Sequence, residues 1–383
     1  MLRRSLVACA ASAGFWMLLN AAAAEPEGTV WTKHNNTIPS PTNTTSTDGR
    51  IPLGTAGKGD AGYVFAPAVI KDGSTYKMWY SGNDGTYFRI YHATSPDGLT
   101  WTKYTNDIPA NSDTTSTGGR IPLGSNGKGD DYHASHPTVI KEGSTYKMWY
   151  RGSDGATDRI YHATSPDGLT WTKYTNDIPA NSDTTSTGGR IPLGTTGKGD
   201  ARYAFAPAVI KDGDTYKMWY SGGGTNYRIY YATSPDGLTW TKYTNDIPAN
   251  SDTTSTDGRI PLGTAGKGDD AHAYGPRVIK DGSTYKMWYS GNDGTYVRIY
   301  YATSPDGLTW TKYTNDIPAN SDTTSTGGRI PLGATGGDVT YVGYQTVIKV
   351  GYTYYTWYGG YSGAWRIYHA RILPPAGTIL SFH

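Results

Sequence analysis

The sequence predicts an all-β fold, a five-bladed β-propeller of four-stranded blades whose ring is closed by the N-terminal strand joining the last blade. Three observations predict it. A tryptophan recurs at Trp79, Trp149, Trp219, Trp288 and Trp357, in steps of 70, 70, 69 and 69 residues. A second series recurs at Trp31, Trp101, Trp171, Trp240 and Trp310, in steps of 70, 70, 69 and 70. The two series are out of phase: no further copy follows Ile372, whereas Val30-Trp31-Thr32-Lys33 stands ahead of the first unit and matches Thr100-Trp101-Thr102-Lys103. A linear solenoid would show capping repeats, and none is visible.

Residues 1–24 read as a secretory signal. Arg3 and Arg4 precede an apolar stretch from Leu6 to Leu19, and Ala22-Ala23-Ala24 offers small residues for cleavage before Glu25. Leu6-Val7-Ala8-Cys9 resembles a lipobox, but only five residues precede it. The propeller is assigned to 25–383, and the expected location is secreted or periplasmic. Cys9 is the one cysteine, so the mature chain would work in an oxidising compartment without a disulfide. Removing Arg3 and Arg4 from 34 basic residues leaves 32 against 32 acidic ones. That neutrality argues against nucleic acid as a partner, and no apolar run after the signal is long enough to span a membrane. A monomer with no cofactor is expected.

Each unit reads as four strands, with inner-strand repeats starting near 60, 130, 200, 269 and 338. The first ends in Pro67-Ala68-Val69-Ile70, and Asp72-Gly73 turns the chain. Thr75–Tyr80, Arg89–Thr94 and Thr100–Tyr104 follow as β-branched and aromatic runs, the last two separated by Ser95-Pro96-Asp97-Gly98. Pro67, Pro137, Pro207 and Pro276 mark the first strand as an edge, because proline donates no ladder hydrogen bond. Gln345 takes that place in the fifth unit. Between blades run polar stretches such as Thr105 to Gly129, whose Arg-Ile-Pro-Leu-Gly (120–124) is expected to tuck its apolar side chains against the blade.

Five near-copies permit an internal comparison. The differences concentrate at the start of the inner strand and in the loop between strands two and three, and both should lie at the mouth of the central channel. The predicted pocket there carries Tyr63, His133, Tyr203, His272 and Tyr341, the aromatic faces of Phe65, Phe205, Tyr274 and Tyr344, and the polar arms His136, Arg202 and Arg277. Flat aromatics with converging polar groups suit a saccharide, whose C–H faces stack and whose hydroxyls hydrogen-bond. Each of these tyrosines is equally explicable as blade packing. Asp60, Asp130, Asp200, Asp269 and Asp338 occur in all five units, which points to a structural role in a turn. His133 and His136 differ in pleat direction, so no metal site is expected.

Units reading Pro-Ala-Val-Ile-Lys-Asp-Gly-Ser-Thr-Tyr-Lys-Met-Trp-Tyr-Ser-Gly (67–82) and Ala-Thr-Ser-Pro-Asp-Gly-Leu-Thr-Trp (93–101) resemble the arabinanase, levansucrase and invertase superfamily, which includes the five-bladed propellers of glycoside hydrolase families 43 and 32. Ser95 to Trp101 also resembles a shortened Asp-box, a structural hairpin of sialidases. The resemblance implies three catalytic carboxylates on inner strands. They would stand just before a strand proline (Ala66, His136, Ala206, Gly275 or Tyr344 here), just after it (Ala68, Thr138, Ala208, Arg277 or Thr346) and two before it (Phe65, Ser135, Phe205, Tyr274 or Gly343). No carboxylate occupies any of these positions. Glycoside hydrolysis needs two carboxyl groups flanking the bond, and the mature chain has Glu25, Glu27 and Glu142 as its glutamates. The sequence therefore points to an exported, non-catalytic, saccharide-binding propeller. Two readings compete with it: a glycosidase acting on arabinan-, xylan- or fructan-type saccharides through a rearranged pair, Asp131 and Asp270, and a structural or adhesive repeat protein.

Overall fold

Short hairpins organise the chain. Asp72-Gly73 and its equivalents place glycine at positive φ, +60° at Gly73, which the tight turn requires. The computed structural model describes residues 30–34, 46, 48–104, 118–174, 186, 188–224, 226–243, 257–313 and 327–372. The expected signal segment, Cys9 and much of the polar inter-unit stretches lie outside the described residues.

Among the described residues every element is a strand. A two-residue strand, β1 (Thr32–Lys33), is followed by four groups of four. The first is β2 (Tyr63–Asp72), β3 (Thr75–Asn83), β4 (Phe88–Ser95) and β5 (Thr102–Lys103). The second is β6 (His133–Glu142), β7 (Thr145–Ser153), β8 (Asp158–Ser165) and β9 (Thr172–Lys173). The third is β10 (Tyr203–Asp212), β11 (Thr215–Gly223), β12 (Tyr227–Ser234) and β13 (Thr241–Lys242), and the fourth is β14 (His272–Asp281), β15 (Thr284–Asn292), β16 (Val297–Ser304) and β17 (Thr311–Lys312). A last group, β18 (Tyr341–Val350), β19 (Thr353–Tyr361) and β20 (Trp365–Ile372), takes β1 as its fourth strand, with Thr32 opposite Arg371 and Lys33 opposite Ala370. Single parallel pairs such as Phe88 with His133 link some groups, giving one eight-stranded and one twelve-stranded sheet rather than a single closed sheet.

The first strands begin earlier than expected from their proline-containing ends, and the fourth strands are shorter. The Asp97 carboxylate accepts the N–H groups of Leu99 and Thr100 at 2.8 Å each. Those donors are therefore turned into the hairpin and away from a strand partner, and pairing starts only at Thr102. Trp101 Nε1 closes the same turn on Gly98 O at 3.1 Å. Ile121 and Leu123 of the inter-unit stretch are fully buried, and Ile121 bridges to Ile90.

The repeated aspartates, expected to be structural, tie the interior of each group together. Asp60 is fully buried and accepts Tyr80 Oη at 2.9 Å and Lys103 Nζ at 2.7 Å. Gly82 makes room for it: a Cβ there would lie 2.6 Å from both Asp60 Cβ and the Tyr91 ring. In the last group the cation comes from the start of the chain, with Lys33 Nζ 3.0 Å from Asp338 Oδ2.

Groups contact one another through tryptophan. Trp79 meets Trp171 edge-on at 5.8 Å, and the same pairing joins Trp149 to Trp240, Trp219 to Trp310, Trp288 to Trp31, and Trp357 to Trp101. The last of these pairs joins the final group to the first. Carboxylates stitch four of the junctions: Asp72 accepts from Lys77 of its own group and from Lys141 and Tyr146 of the next. Glu142, Asp212 and Asp281 repeat the pattern. At the junction of last and first groups, Val350 and Tyr355 stand where the acid and the lysine would be, and Tyr355 packs against Tyr76 at 6.5 Å.

Two expectations follow. Removing one partner of a buried ion pair costs about 3 kcal/mol, so Lys33→Ala should lower the denaturant midpoint as far as Lys173→Ala, whose Nζ lies 2.8 Å from Asp130. A silent Lys33→Ala beside a damaging Lys173→Ala would show that β1 does not complete the last group. The second concerns acid. His92, His162 and His369 are fully buried against Trp79, Trp149 and Trp357, and burial holds each imidazole down to about 3. The folded value lies below the unfolded 6.5, so the unfolded chain gains protons that the folded one refuses as pH falls from 6.5 to about 3. Stability should drop by about 1.4 kcal/mol per pH unit per histidine across that window. Tyr231 and Tyr301 fill the same site in the third and fourth groups. Replacing all three histidines by tyrosine should therefore flatten the dependence between pH 6 and 4, as read by urea denaturation.

Candidate functional site

The site grows from one backbone irregularity. In β2 the pairing shifts between Phe65 and Ala68, so that Ala66 and Pro67 form a bulge, and the same shift occurs in β6, β10, β14 and β18. Proline has no N–H for the ladder, and a bulge accommodates it. The residue before it takes a left-handed conformation: φ is +48° at Ala66 and Ala206, +52° at His136 and Tyr344, and +60° at Gly275. Four of these are not glycine, at a cost of about 1–2 kcal/mol each. Neighbouring groups help to hold them. His136 N donates to Ser81 Oγ at 2.8 Å, Gly275 N to Ser221 Oγ at 2.8 Å and Tyr344 N to Ser290 Oγ at 3.1 Å. Gln345, standing where the other groups have proline, donates its side-chain amide to Gly275 O and Trp288 O.

These five bulges meet around a narrow cavity of about 30 Å³, lined by Ala66, His136, Ala206, Gly275 and Tyr344 with their following residues and Arg277. A water needs roughly 10–15 Å³ by such a measure, so a sugar does not fit there. Toward the strand starts lies a larger cavity of about 390 Å³, between the first and last groups and lined by Tyr63, Phe65, Phe88, Tyr341, Tyr361 and Trp365. Toward the strand ends lies a third, of about 550 Å³.

Of the expected pocket residues, Tyr63, Phe65 and Tyr341 line the aromatic cavity, and His136, Tyr344 and Arg277 line the narrow one. Phe205 and Tyr274 are buried in an apolar cluster with Ala206 and Val297, against which Tyr203 packs. His133 and His272 are engaged by backbone: Phe88 N donates to His133 Nδ1 at 3.2 Å and Tyr227 N to His272 Nδ1 at 3.1 Å. Burial and the nearby Arg151 guanidinium hold His133 down to about 4. The Arg202 guanidinium stacks over the Tyr203 ring at 4.9 Å. The expected even ring of five Tyr and His side chains is thus divided between one open aromatic cleft and a packed opposite side.

Asp131 and Asp270 accept the N–H groups of Gly127 and Gly266 at 2.7 Å within their own loops. Neither lines any of the three cavities. Residues outside the expected set complete the cleft. Trp365 sits 5.6 Å from Tyr341, 5.5 Å from Tyr361 and 5.9 Å from Phe65, and Phe88 closes the other side at 5.4 Å from Phe65. Their signal in the sequence is that the first residue of the third strand changes from unit to unit: Phe88, Asp158, Tyr227, Val297, Trp365. In the second group that residue, Asp158, accepts from Arg151 Nη2 at 2.9 Å, and Arg151 Nη1 reaches Ser135 Oγ at 3.4 Å. This polar patch adjoins His136, whose ring burial keeps neutral.

No protein-family model matches the chain. A segment of 124 residues is 38% identical to uncharacterised proteins of two Mycobacterium tuberculosis strains, covering 30% of this chain and 36% of each relative. The match thus spans about a third of the length of those relatives. Among solved structures, an exo-1,5-α-L-arabinanase from a bovine ruminal metagenomic library is 15% identical with TM-score 0.51, over 82% of this chain and 94% of its own. A thermostable family-43 glycoside hydrolase is 17% identical with TM-score 0.53, over 87% and 94%. A structure from a study of the family 130 mannoside phosphorylases, which contains glycoside hydrolases targeting β-1,2 mannosidic linkages in Candida mannan, is 15% identical with TM-score 0.58, over 90% and 95%. At such identities the likeness is one of fold: the chain has the all-β, propeller-type architecture of glycoside hydrolases.

Proposed function

We propose that this chain is an exported five-bladed β-propeller that binds a saccharide at the mouth of its central channel and does not hydrolyse it. The observation carrying this reading is the cleft of six aromatic side chains, Tyr63, Phe65, Phe88, Tyr341, Tyr361 and Trp365, with no carboxylate in its lining. Its volume of about 390 Å³ falls in the range of small-molecule sites. Tyrosine hydroxyls and the Trp365 indole offer hydrogen bonds at the edges of stacking faces. The five-bladed count rests on five groups of four strands, and ring closure on β1 pairing with β20 and on Trp357 meeting Trp101. Export rests on the basic and apolar run of residues 1–24 with cleavage near Ala24. Hydrolase neighbours lend weight to a saccharide as the ligand, and the acid positions implied by the family resemblance carry Ala, His, Gly, Tyr, Thr, Arg, Phe or Ser.

Calorimetric titration with arabino-, xylo-, fructo- and manno-oligosaccharides tests the proposal. At least one should bind, and Trp365→Ala and Tyr341→Ala should each weaken it about tenfold, the loss of one stacking face. Reducing-sugar assays on the same substrates should show no release. Release abolished by Asp131→Asn or Asp270→Asn would replace this reading with a hydrolase, and binding indifferent to both aromatic variants would remove the cleft from it.

A further inference from the structure

The channel has a second opening, and its chemistry differs from that of the first. The Val-Ile-Lys run that ends each first strand, Val69–Lys71 and its equivalents, lines the 550 Å³ cavity there, so its walls are aliphatic and its rim carries five lysines. Two lysines share each junction carboxylate. Lys77 and Lys141 lie 3.1 and 2.6 Å from Asp72, and Lys217 and Lys280 lie 2.8 and 2.5 Å from Asp212. At the junction between last and first groups Val350 replaces the acid, and Lys71 lies over the Tyr76 ring at 5.4 Å. Cations therefore outnumber carboxylates around this opening.

Arg277 stands at its inner end. It lines both this cavity and the narrow one at the bulges, and it occupies a position held by Ala68, Thr138, Ala208 and Thr346 in the other groups. Its Nη1 reaches across the channel to Thr138 Oγ1 at 3.0 Å, while its Nε is buried with no hydrogen-bond partner. Among the described residues no carboxylate pairs with it. Burial pushes the guanidinium down to about 10, which leaves it cationic at neutral pH. A partly buried charge without a counter-charge carries a desolvation cost, and guanidinium matches oxyanions through two parallel N–H donors.

We propose that the channel end opposite the aromatic cleft is an oxyanion-binding site, with Arg277 as its anchor, the lysine rim as its electrostatic entrance and the Val and Ile walls accommodating any apolar body of the anion. The shared chemistry is a phosphate or carboxylate group, and two probes separate the sources: inorganic phosphate, which uses the cations alone, and hexanoate, which adds the walls. At constant ionic strength against sodium chloride, one or both should raise the melting temperature saturably and give a calorimetric isotherm. Arg277→Met should abolish that response and, with the uncompensated charge gone, melt no lower than wild type in chloride. Arg277→Lys should weaken binding about tenfold. Lys71→Glu, on an exposed side chain, should weaken it about threefold and more at low salt. The proposal falls if neither probe gives a saturable response in wild type, or if folded Arg277→Met or Arg277→Lys responds as wild type does. Should Arg277→Met not fold, the Arg277→Lys and Lys71→Glu isotherms decide. Oligosaccharide titration of the same variants keeps this test separate from the aromatic cleft, because Arg277→Lys should leave saccharide affinity unchanged.

Discussion

The edge-on contact between two tryptophans, one from the second strand of a group and one from just before the fourth strand of the next, is the interaction on which the remaining geometry depends. It recurs at 5.8–5.9 Å across all five junctions. Perpendicular aromatic pairs add about 0.5–1.5 kcal/mol beyond burial, and their geometry is directional. A repeated fixed angle between groups sets how closely the five first strands approach one another, and hence the width of the channel between them. Trp31 makes the point sharply. It reaches its position only because β1 pairs with β20, and it then supplies Trp288 with the same partner that Trp171, Trp240 and Trp310 supply elsewhere.

Against so regular a frame, each departure has a local physical consequence. At the junction of last and first groups the acid and one of its two lysines are replaced together, by Val350 and Tyr355, and the remaining lysine, Lys71, lies over the Tyr76 ring instead. In the second group Arg151 takes the place of the serines Ser81, Ser221 and Ser290, and Asp158 appears beside it to receive the guanidinium. Arg277 breaks this pattern. It introduces a charge without a paired acid among the described residues, at a point where two cavities meet.

Strand identity and order were legible because two tryptophan periods and the Asp-Gly and Ser-Pro-Asp-Gly turns report independently on the same repeat. Strand length was less so: the Asp97 carboxylate captures backbone donors that alternation alone assigns to the fourth strand. The aromatic character of the cleft and the variable loops that supply Phe88, Tyr361 and Trp365 were also visible, but not which residues meet across it. Phe88 and Trp365 belong to a different strand from the inner-strand residues they touch, and only the register between strands brings them together. Arg277 was misplaced for a simpler reason. Expected at the mouth with the residues before the proline, it follows a two-residue bulge that breaks the alternation of the strand and delivers its side chain into the channel, with the opposite opening beyond it.

The left-handed residue at each bulge shows which came first, frame or site. Ala66 and Ala206 hold φ of +48° although a methyl group can neither bind nor catalyse, so the strained backbone is a property of the scaffold. It belongs to the two-residue bulge that keeps Ala68 against Trp79, and it persists at Tyr344, where Gln345 stands in place of the proline. Once that conformation exists in every group, any side chain placed there lines the channel. His136 and Tyr344 exploit it with polar and aromatic groups, and Gly275 relieves the strain in the group where the next residue but one is Arg277. The strain is thus carried fivefold by packing, and chemical individuality is acquired by substitution at a position whose direction is already fixed.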